Sequence, residues 1–189
     1  MELNFQNSRF EKEVRDRLGI YNRAITVEDA RKVQKLDLSD IYLSEGDVET
    51  LFFFENLRML EIDYIKVENA AFWNHFPMIE ELFWEFPGGE EQIDFEIFSS
   101  MSHLQYLYLS GGGCSNTRLV NLEALIPLKA LESLHFCEFG TVDIAPLEKM
   151  MQLKYFGMEY PDDVENLDVL TRMDWLEEIL LYAISGEKT

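Results

Sequence analysis

Residues 122–136 read LEALIPLKALESLHF, and the spacing of their apolar side chains decides the fold. An apolar residue stands at every third position from Leu122 to Leu134, and one more, Phe136, follows two residues later. Self-similarity of this kind is typical of repeat proteins. The same rhythm recurs in stretches that start at Val48, Ala70, Phe95, Ile144 and Leu167, and in a shorter one from Val33 to Leu38.

The rhythm differs from both common periods of secondary structure. An amphipathic helix places apolar residues three and four apart, and a strand places them two apart. The run of threes predicts tight backbone of the 3-10 type, which has about three residues per turn. The closing pair, such as Leu134 and Phe136, predicts a short strand with both side chains directed inward. Each copy is therefore expected to form one coil, and the strand motifs recur roughly every 22 to 27 residues, from Val33 to Leu176.

This repeat resembles the L-x-x-L-x-x-L-x-x-L-x-L pattern of bacterial internalin-like leucine-rich repeat proteins. Residues 10–20, FEKEVRDRLGI, together with residues 25–38, resemble the helical cap that opens many such proteins. The resemblance implies an α/β fold, namely a right-handed leucine-rich repeat solenoid with about seven short parallel strands on its concave face and 3-10 or helical segments on its convex side. It implies an N-terminal helical cap at residues 1–32 and repeats at residues 33–189, within a single structural domain.

One position departs from the pattern of that family. Its members usually carry asparagine three residues beyond the last strand leucine, where the amide bonds the loop backbone. We therefore expect no asparagine ladder here, and we expect the loops to satisfy their backbone groups differently. The residues that stand at these positions are Ile41, Ile65, Pro87, Gly112, Phe139, Pro161 and Ile184.

The two ends of the solenoid are expected to differ. A first helix should open at Ser8 and end at Gly19, and Thr26 with Asp29 predicts a capping box for a second helix. Such a cap is needed because the first coil would otherwise expose its apolar ring to water. Few residues follow Leu181, so we expect an uncovered C-terminal end whose unpaired strand edge allows pairing into a homodimer. The alternative is that further repeats continue a longer chain.

Composition excludes several classes of protein. With 47% hydrophobic and 13% aromatic residues the chain is not intrinsically disordered. No apolar run approaches the roughly 18 to 20 residues of a membrane-spanning helix, and no secretory signal is visible at the N-terminus. We therefore expect a cytoplasmic protein, in which Cys114 and Cys137 remain reduced rather than bridged.

The net charge of −20 is unevenly distributed. Residues 1–35 carry eight basic against six acidic side chains, which leaves the rest of the chain at about −22. Such a field repels nucleic acid and anionic membranes and favours a basic protein partner. The alternative is that the charge only keeps a repeat protein soluble.

The candidate binding surface is the outward side of the predicted strands, where the residues between and beyond each inward pair are exposed. Its centre is aromatic and its flanks are acidic. Aromatic side chains are enriched among the residues that dominate binding energies, whereas the alternative interpretation is an ordinary solvated strand face. The candidate partner-binding residues are Glu61, Asp63, Glu81, Phe83, Glu85, Tyr106, Tyr108, His135, Tyr155, Glu159 and Tyr182.

The sequence offers little for catalysis or for cofactor binding. The glycines at 111–113 lack the Gly-Lys-Ser/Thr that follows in phosphate-binding loops. His135, Cys137 and Cys114 supply three zinc ligands where a structural site needs four, and no nucleophile–base pair is apparent. We expect no enzyme activity, no cofactor and no metal.

Together these features predict a module for protein–protein recognition that uses an acidic-aromatic concave surface. One alternative is an immunity-type inhibitor that covers a basic effector such as a nuclease. Another is a structural module that self-assembles through its C-terminal end.

Overall fold

Short helices occupy one side of every coil in the computed structural model, which describes residues 1–87, 89, 91–113 and 117–183. The α-helices are α1 (Ser8–Leu18), α2 (Val27–Ala30) and α3 (Glu45–Leu51). The later coils carry 3-10 helices instead, as the threefold spacing predicts. These span Ala70–His75, Phe95–Phe98, Leu122–Leu125, Ala145–Lys149 and Leu167–Arg172.

The strands found within the described residues are all short. In chain order they are β1 (Lys35–Leu38), β2 (Met59–Asp63), β3 (Glu81–Glu85), β4 (Gln92–Asp94), β5 (Tyr106–Ser110), β6 (Arg118–Val120), β7 (Ser133–Cys137), β8 (Thr141–Asp143), β9 (Tyr155–Glu159), β10 (Asp163–Glu165) and β11 (Glu178–Tyr182). In this part of the chain, seven of them form one parallel sheet in the order β1-β2-β3-β5-β7-β9-β11. The prediction of stacked parallel strands, one for each coil, is confirmed.

A second parallel sheet was not anticipated from the sequence. The three-residue strands β4, β6, β8 and β10 pair in the order β10-β8-β6-β4, just before the 3-10 helices. Each directs one apolar side chain inward, for example Ile93 and Val142. A strand of three residues contains a single inward side chain and is too short for a recognisable alternation of apolar and polar residues. The apolar spacing therefore did not predict this sheet.

The core is a column of apolar rings stacked coil on coil. Leu107, Leu134 and Phe136 are at most 1% exposed, which is typical of the positions that the repeat rule selects. The last coil differs, because Ile179 and Leu181 occupy equivalent positions and are 43% and 40% exposed. Their strand β11 pairs with β9 on one side only within the described residues, so no further coil covers them there.

The N-terminal helices close the other end of the column. Helix α1 begins at Ser8 as predicted, and the preceding Asn7 caps it by accepting hydrogen bonds from the N–H groups of Arg9 and Phe10. Gly19 ends the helix with φ of 66°, in the left-handed region that glycine enters without steric cost. Phe10 is fully buried and its ring lies 5.8 Å from that of Phe54. The apolar face of α1 therefore packs onto the core.

Helix α2 has the capping box that Thr26 and Asp29 predict. The Asp29 carboxylate also accepts hydrogen bonds from Arg23 at 2.6 and 2.9 Å and from Lys32 at 3.1 Å. These partners hold its pKa well below the usual range, with the Arg23 guanidinium contributing most. The cap is thus fixed by ionic as well as apolar contacts. The division into a cap at residues 1–32 and repeats at residues 33–189 stays a prediction.

The loops after the strands form no asparagine ladder within the described residues, as expected, although Asn7 of the cap donates to the Tyr42 carbonyl oxygen at 3.0 Å. Residues two positions beyond the last inward strand residue, such as Asp40, Tyr64 and Glu138, adopt positive φ of 56° to 60°. This turn directs the following residue, for example Phe139, into the core. The freed N–H groups then bond the next coil, as in Tyr64 N to the Glu85 carbonyl oxygen at 2.8 Å and Glu138 N to the Glu159 carbonyl oxygen at 2.9 Å. Ile184, the last of the predicted positions, lies outside the described residues.

Candidate functional site

The register of the main sheet sorts its outward side chains into three lateral rows. Neighbouring strands pair residue to residue, so side chains of equal rank stand side by side at a strand spacing of about 4.8 Å. The first row is Met59, Glu81, Tyr106, Ser133, Tyr155 and Glu178; the middle row is Glu61, Phe83, Tyr108, His135, Gly157 and Leu180; the third row is Asp63, Glu85, Ser110, Cys137, Glu159 and Tyr182. All of the candidate residues stand in these rows. We call this surface the concave face.

The centre of the concave face is a cluster of aromatic rings. The ring of Phe83 lies 4.9 Å from that of Tyr106 and 6.1 Å from that of Tyr108. The ring of His135 lies 5.0 Å from that of Tyr108, so the cluster spans β3, β5 and β7. The rings are half-buried, and burial raises the pKa of Tyr106 and Tyr108 above the usual value of a phenol. The tyrosines are therefore neutral near pH 7.

Two small residues interrupt the rows beside this cluster. Ser133 separates Tyr106 from Tyr155 in the first row, and Gly157 separates His135 from Leu180 in the middle row. The result is an open groove of about 650 Å³. Besides these residues its lining includes the acidic side chains Glu81, Glu132 and Glu178.

Gly157 allows an unusually close approach of its neighbour. A Cβ atom at this position would lie 2.2 Å from Nδ1 of His135, so the imidazole rests directly over the glycine. Sequence reasoning left Gly157 out of the site, although a glycine inside a strand is a recognised sign of such an approach. The groove therefore keeps its depth because residue 157 has no side chain.

His135 is neutral near pH 7 in this setting. Burial lowers the pKa of the imidazole, and the neighbouring Glu159 carboxylate offsets only part of that effect. Nε2 lies 3.1 Å from Oε1 of Glu159, but the orientation does not form a hydrogen bond, and Nε2 is buried without another partner. The contact between the imidazole and the carboxylate is therefore electrostatic.

The N-terminal part of the concave face is acidic. Burial raises the pKa of Glu61, and Asp37 and Asp63 raise it further. Burial also raises the pKa of Asp63, against the stabilising hydrogen bond that its Oδ2 accepts from the N–H of Asp40 at 2.6 Å. Repulsion between these carboxylates favours any ligand that brings positive charge.

Other candidate residues are partly engaged within the chain. Lys35 Nζ lies 3.8 Å from Glu81 Oε1, and the hydroxyl of Tyr155 donates to Glu177 Oε2 at 3.2 Å. Tyr182 is exposed, and its ring meets that of Tyr160 edge-on at 5.2 Å. Exposed ion pairs of this kind contribute little to stability. These side chains can therefore leave their present contacts and bind a partner protein instead.

The overall arrangement of coils matches that of solved structures. Internalin C2 from Listeria monocytogenes is similar over 94% of this chain and 94% of its own, with a TM-score of 0.54 and 16% sequence identity. This chain has an internalin-like leucine-rich repeat fold. Internalin F from Listeria monocytogenes is similar over 97% of this chain and 72% of its own, with a TM-score of 0.50 and 13% identity. The sequence matches no protein-family model and no curated protein.

Because the sequence identities to the two internalins are only 16% and 13%, the likeness concerns the fold alone. The chemistry of the concave face has to be judged from the residues of this chain. Within the described residues no three His, Cys, Asp or Glu side chains are grouped so as to hold a metal ion. Cys114, which the zinc and disulfide alternatives require, lies outside the described residues. No described helix is both long and apolar enough to span a bilayer.

Proposed function

We propose that this chain is a protein-recognition module and that it binds a basic protein partner through the concave face. The observation that carries the proposal is the half-exposed cluster of Phe83, Tyr106 and Tyr108 between acidic side chains on a single sheet. The internalin-like fold supports it by presenting those side chains on stacked strands. We extend the proposal to a cytoplasmic setting, on the sequence alone.

Two properties of the concave face favour binding of a basic protein: its aromatic rings are already packed in place, and its carboxylates repel one another. Aromatic side chains with few rotors bury large area at low entropic cost, and those of the cluster already contact one another. Around them, Glu61 and Asp63 are half-buried carboxylates with a raised pKa. The raised pKa shows that contacts within the chain do not fully offset the cost of burying their negative charges. A partner with lysine or arginine side chains relieves that repulsion as it covers the rings.

Site-specific photo-crosslinking tests the proposal. Benzoylphenylalanine replaces Tyr108 in the middle row of the concave face, and in a second protein it replaces Glu96, which is exposed on the opposite side of its coil. We expect one partner to crosslink from position 108 and not from position 96 in extracts of the native host. A partner that crosslinks only from position 96 places recognition elsewhere and overturns the proposal.

A basic effector bound in the manner of an immunity-type inhibitor is a special case of this function. It predicts an affinity that falls steeply with salt, since screening weakens long-range attraction between exposed charges. An affinity that stays constant between low and high salt argues against it.

Self-association is a second candidate, and the last coil favours it. Ile179 and Leu181 are exposed at positions where Leu107 and Leu109, their counterparts in β5, are fully buried. One edge of β11 is unpaired within the described residues, and together with this apolar end it suits a second copy of the chain. Light scattering at increasing concentration should then give a mass above that of the monomer, and Leu181→Asp should return it to the monomer.

A further inference from the structure

The geometry points to an arginine side chain, carried by an extended basic segment of the partner, as the occupant of the groove around Ser133. The inference rests on the recognition function proposed above and assigns a specific chemistry to one part of the concave face. It is carried by the shape of the groove, by the charge of its lining and by the planarity of the rings beside it.

The groove has room for an inserted side chain beside Ser133. Tyr106 and Tyr155 occupy the first row on β5 and β9, with β7 between them, so their backbones are about 9.6 Å apart at normal strand spacing. A flat group that contacts aromatic carbon on both sides needs roughly 7 to 8 Å. Ser133, which lies between the tyrosines, is too small to fill that gap.

The floor beside Ser133 is also recessed. The imidazole of His135, which lines the groove, lies close over Gly157, as the absence of a Cβ at 157 allows. Leu180 forms the far wall on β11. A long side chain can therefore lie along the surface with its aliphatic part against apolar groups and its end near the rim.

The lining is electrostatically one-sided. Among the described residues that line the groove, Glu81, Glu132 and Glu178 are acidic and none is lysine or arginine. Glu132 is bonded to Lys154, which is exposed, at 2.8 Å. Glu178 is exposed, and its carboxylate forms no ion pair or hydrogen bond within the described chain. His135 adds no positive charge near pH 7. Lys154 and, at 3.8 Å, Lys35 offset part of the charge of Glu132 and Glu81. The Glu178 carboxylate has no such partner among the described residues, so it attracts a cation to the groove.

Arginine fits this combination better than lysine. Its guanidinium is planar, stacks on aromatic faces and binds carboxylates through two parallel hydrogen bonds, whereas the ammonium of lysine is compact and strongly hydrated. Two tyrosine rings and the Glu178 carboxylate within one groove match the first set of properties. We expect an arginine peptide to bind roughly threefold to tenfold more tightly than its lysine counterpart.

Nuclear magnetic resonance titration tests the inference with defined peptides. The probe is acetyl-Gly-Gly-Arg-Gly-Gly-amide, compared with the same peptide carrying lysine or citrulline, which keeps the shape of arginine without its charge. We expect the arginine peptide to shift the backbone amides of Ser133, Leu134 and Gly157 and the citrulline peptide to leave them in place. Equal shifts with citrulline overturn the inference.

Variants locate the binding site and separate charge from shape. Ser133→Phe fills the gap between the tyrosines, and Glu178→Gln removes the unpaired carboxylate; each should weaken the arginine peptide at least threefold. Glu96→Gln makes the same charge change on an exposed side chain away from the concave face and should have no effect. Binding that responds equally to Glu96→Gln and Glu178→Gln reflects net charge alone and refutes the assignment.

The two proposals fail in distinguishable ways. Tyr108 does not line the groove, so crosslinking of a partner from position 108 reports on the concave face and is independent of the peptide. A partner that crosslinks there with unchanged affinity in Ser133→Phe refutes the arginine groove and leaves recognition intact. Loss of affinity for both partner and peptide in Ser133→Phe supports the groove as part of the recognition surface.

Discussion

Replacing Gly157 by alanine is the most direct test of how the concave face is built. The added Cβ would lie 2.2 Å from Nδ1, 2.7 Å from Cε1 and 2.9 Å from Cγ of His135. Contacts this short cannot persist, so the imidazole must leave the space above β9. It would then lose its present position 5.0 Å from the ring of Tyr108 and turn towards the groove.

The expected cost combines two opposing effects. Forcing an extra methyl group into a filled site typically costs 1 to 3 kcal/mol, and we take about 2 kcal/mol here. Replacing glycine by alanine in extended backbone restores about 0.5 kcal/mol, because the unfolded chain becomes less flexible. Gly157→Ala should therefore lower the free energy of unfolding by about 1.5 kcal/mol.

The assay is a double-mutant cycle measured by urea denaturation. In the background of His135→Ala the clash is absent, so Gly157→Ala should there raise the free energy of unfolding by about 0.5 kcal/mol. The coupling energy between the two positions is then about 2 kcal/mol, within the range found for residues in contact. A cost for Gly157→Ala that is the same in both backgrounds would falsify the placement of His135 over Gly157.

Three further predictions concern burial, pH and salt. Leu107→Ala should lower the free energy of unfolding by about 2 to 5 kcal/mol, whereas Leu181→Ala should cost less than about 1 kcal/mol because Leu181 is 40% exposed; equal costs in denaturation would contradict the open last coil. Glu61→Gln should raise the melting temperature at pH 7. The folded-state pKa of Glu61 is raised, so its ionised form opposes folding at neutral pH, and the difference from the wild type should vanish as the pH falls below the unfolded value near 4.5. A melting temperature of Glu61→Gln that equals the wild type at pH 7 would remove the repulsion argument. Partner affinity measured at two salt concentrations should fall as salt rises, and a rise would exclude a basic partner.

Several properties stay predictions because they depend on what the folded chain meets. These are the cytoplasmic location, the basic character of the partner and the homodimer through β11. The same holds for the binding role of the candidate residues, although the strand register gathers them on one face. Partner capture tests the binding role and the basic character of the partner, solution mass tests the homodimer, and cell fractionation tests the location.

The amino-acid sequence by itself determined the coils. The apolar side chains at every third position of residues 122–134 avoid water by facing inward, whichever coil lies beside them. Their spacing alone therefore predicts a tight 3-10 segment, and the closing pair Leu134 and Phe136 predicts a short strand after it. Alternation along a strand is equally local, and it predicts which side chains form the outward rows. The capping box of Thr26 and Asp29 is another such local signal, since both partners lie within one turn.

Only the tertiary structure decided how neighbouring coils meet. The second sheet needs strands such as β6 and β8 to be placed laterally after loops of unequal length, and no local spacing encodes that placement. The groove likewise depends on small residues of two coils, Ser133 and Gly157, and on the direction in which His135 leans. These relations join residues more than twenty positions apart, and they arise from packing between coils rather than from the propensity of any one segment.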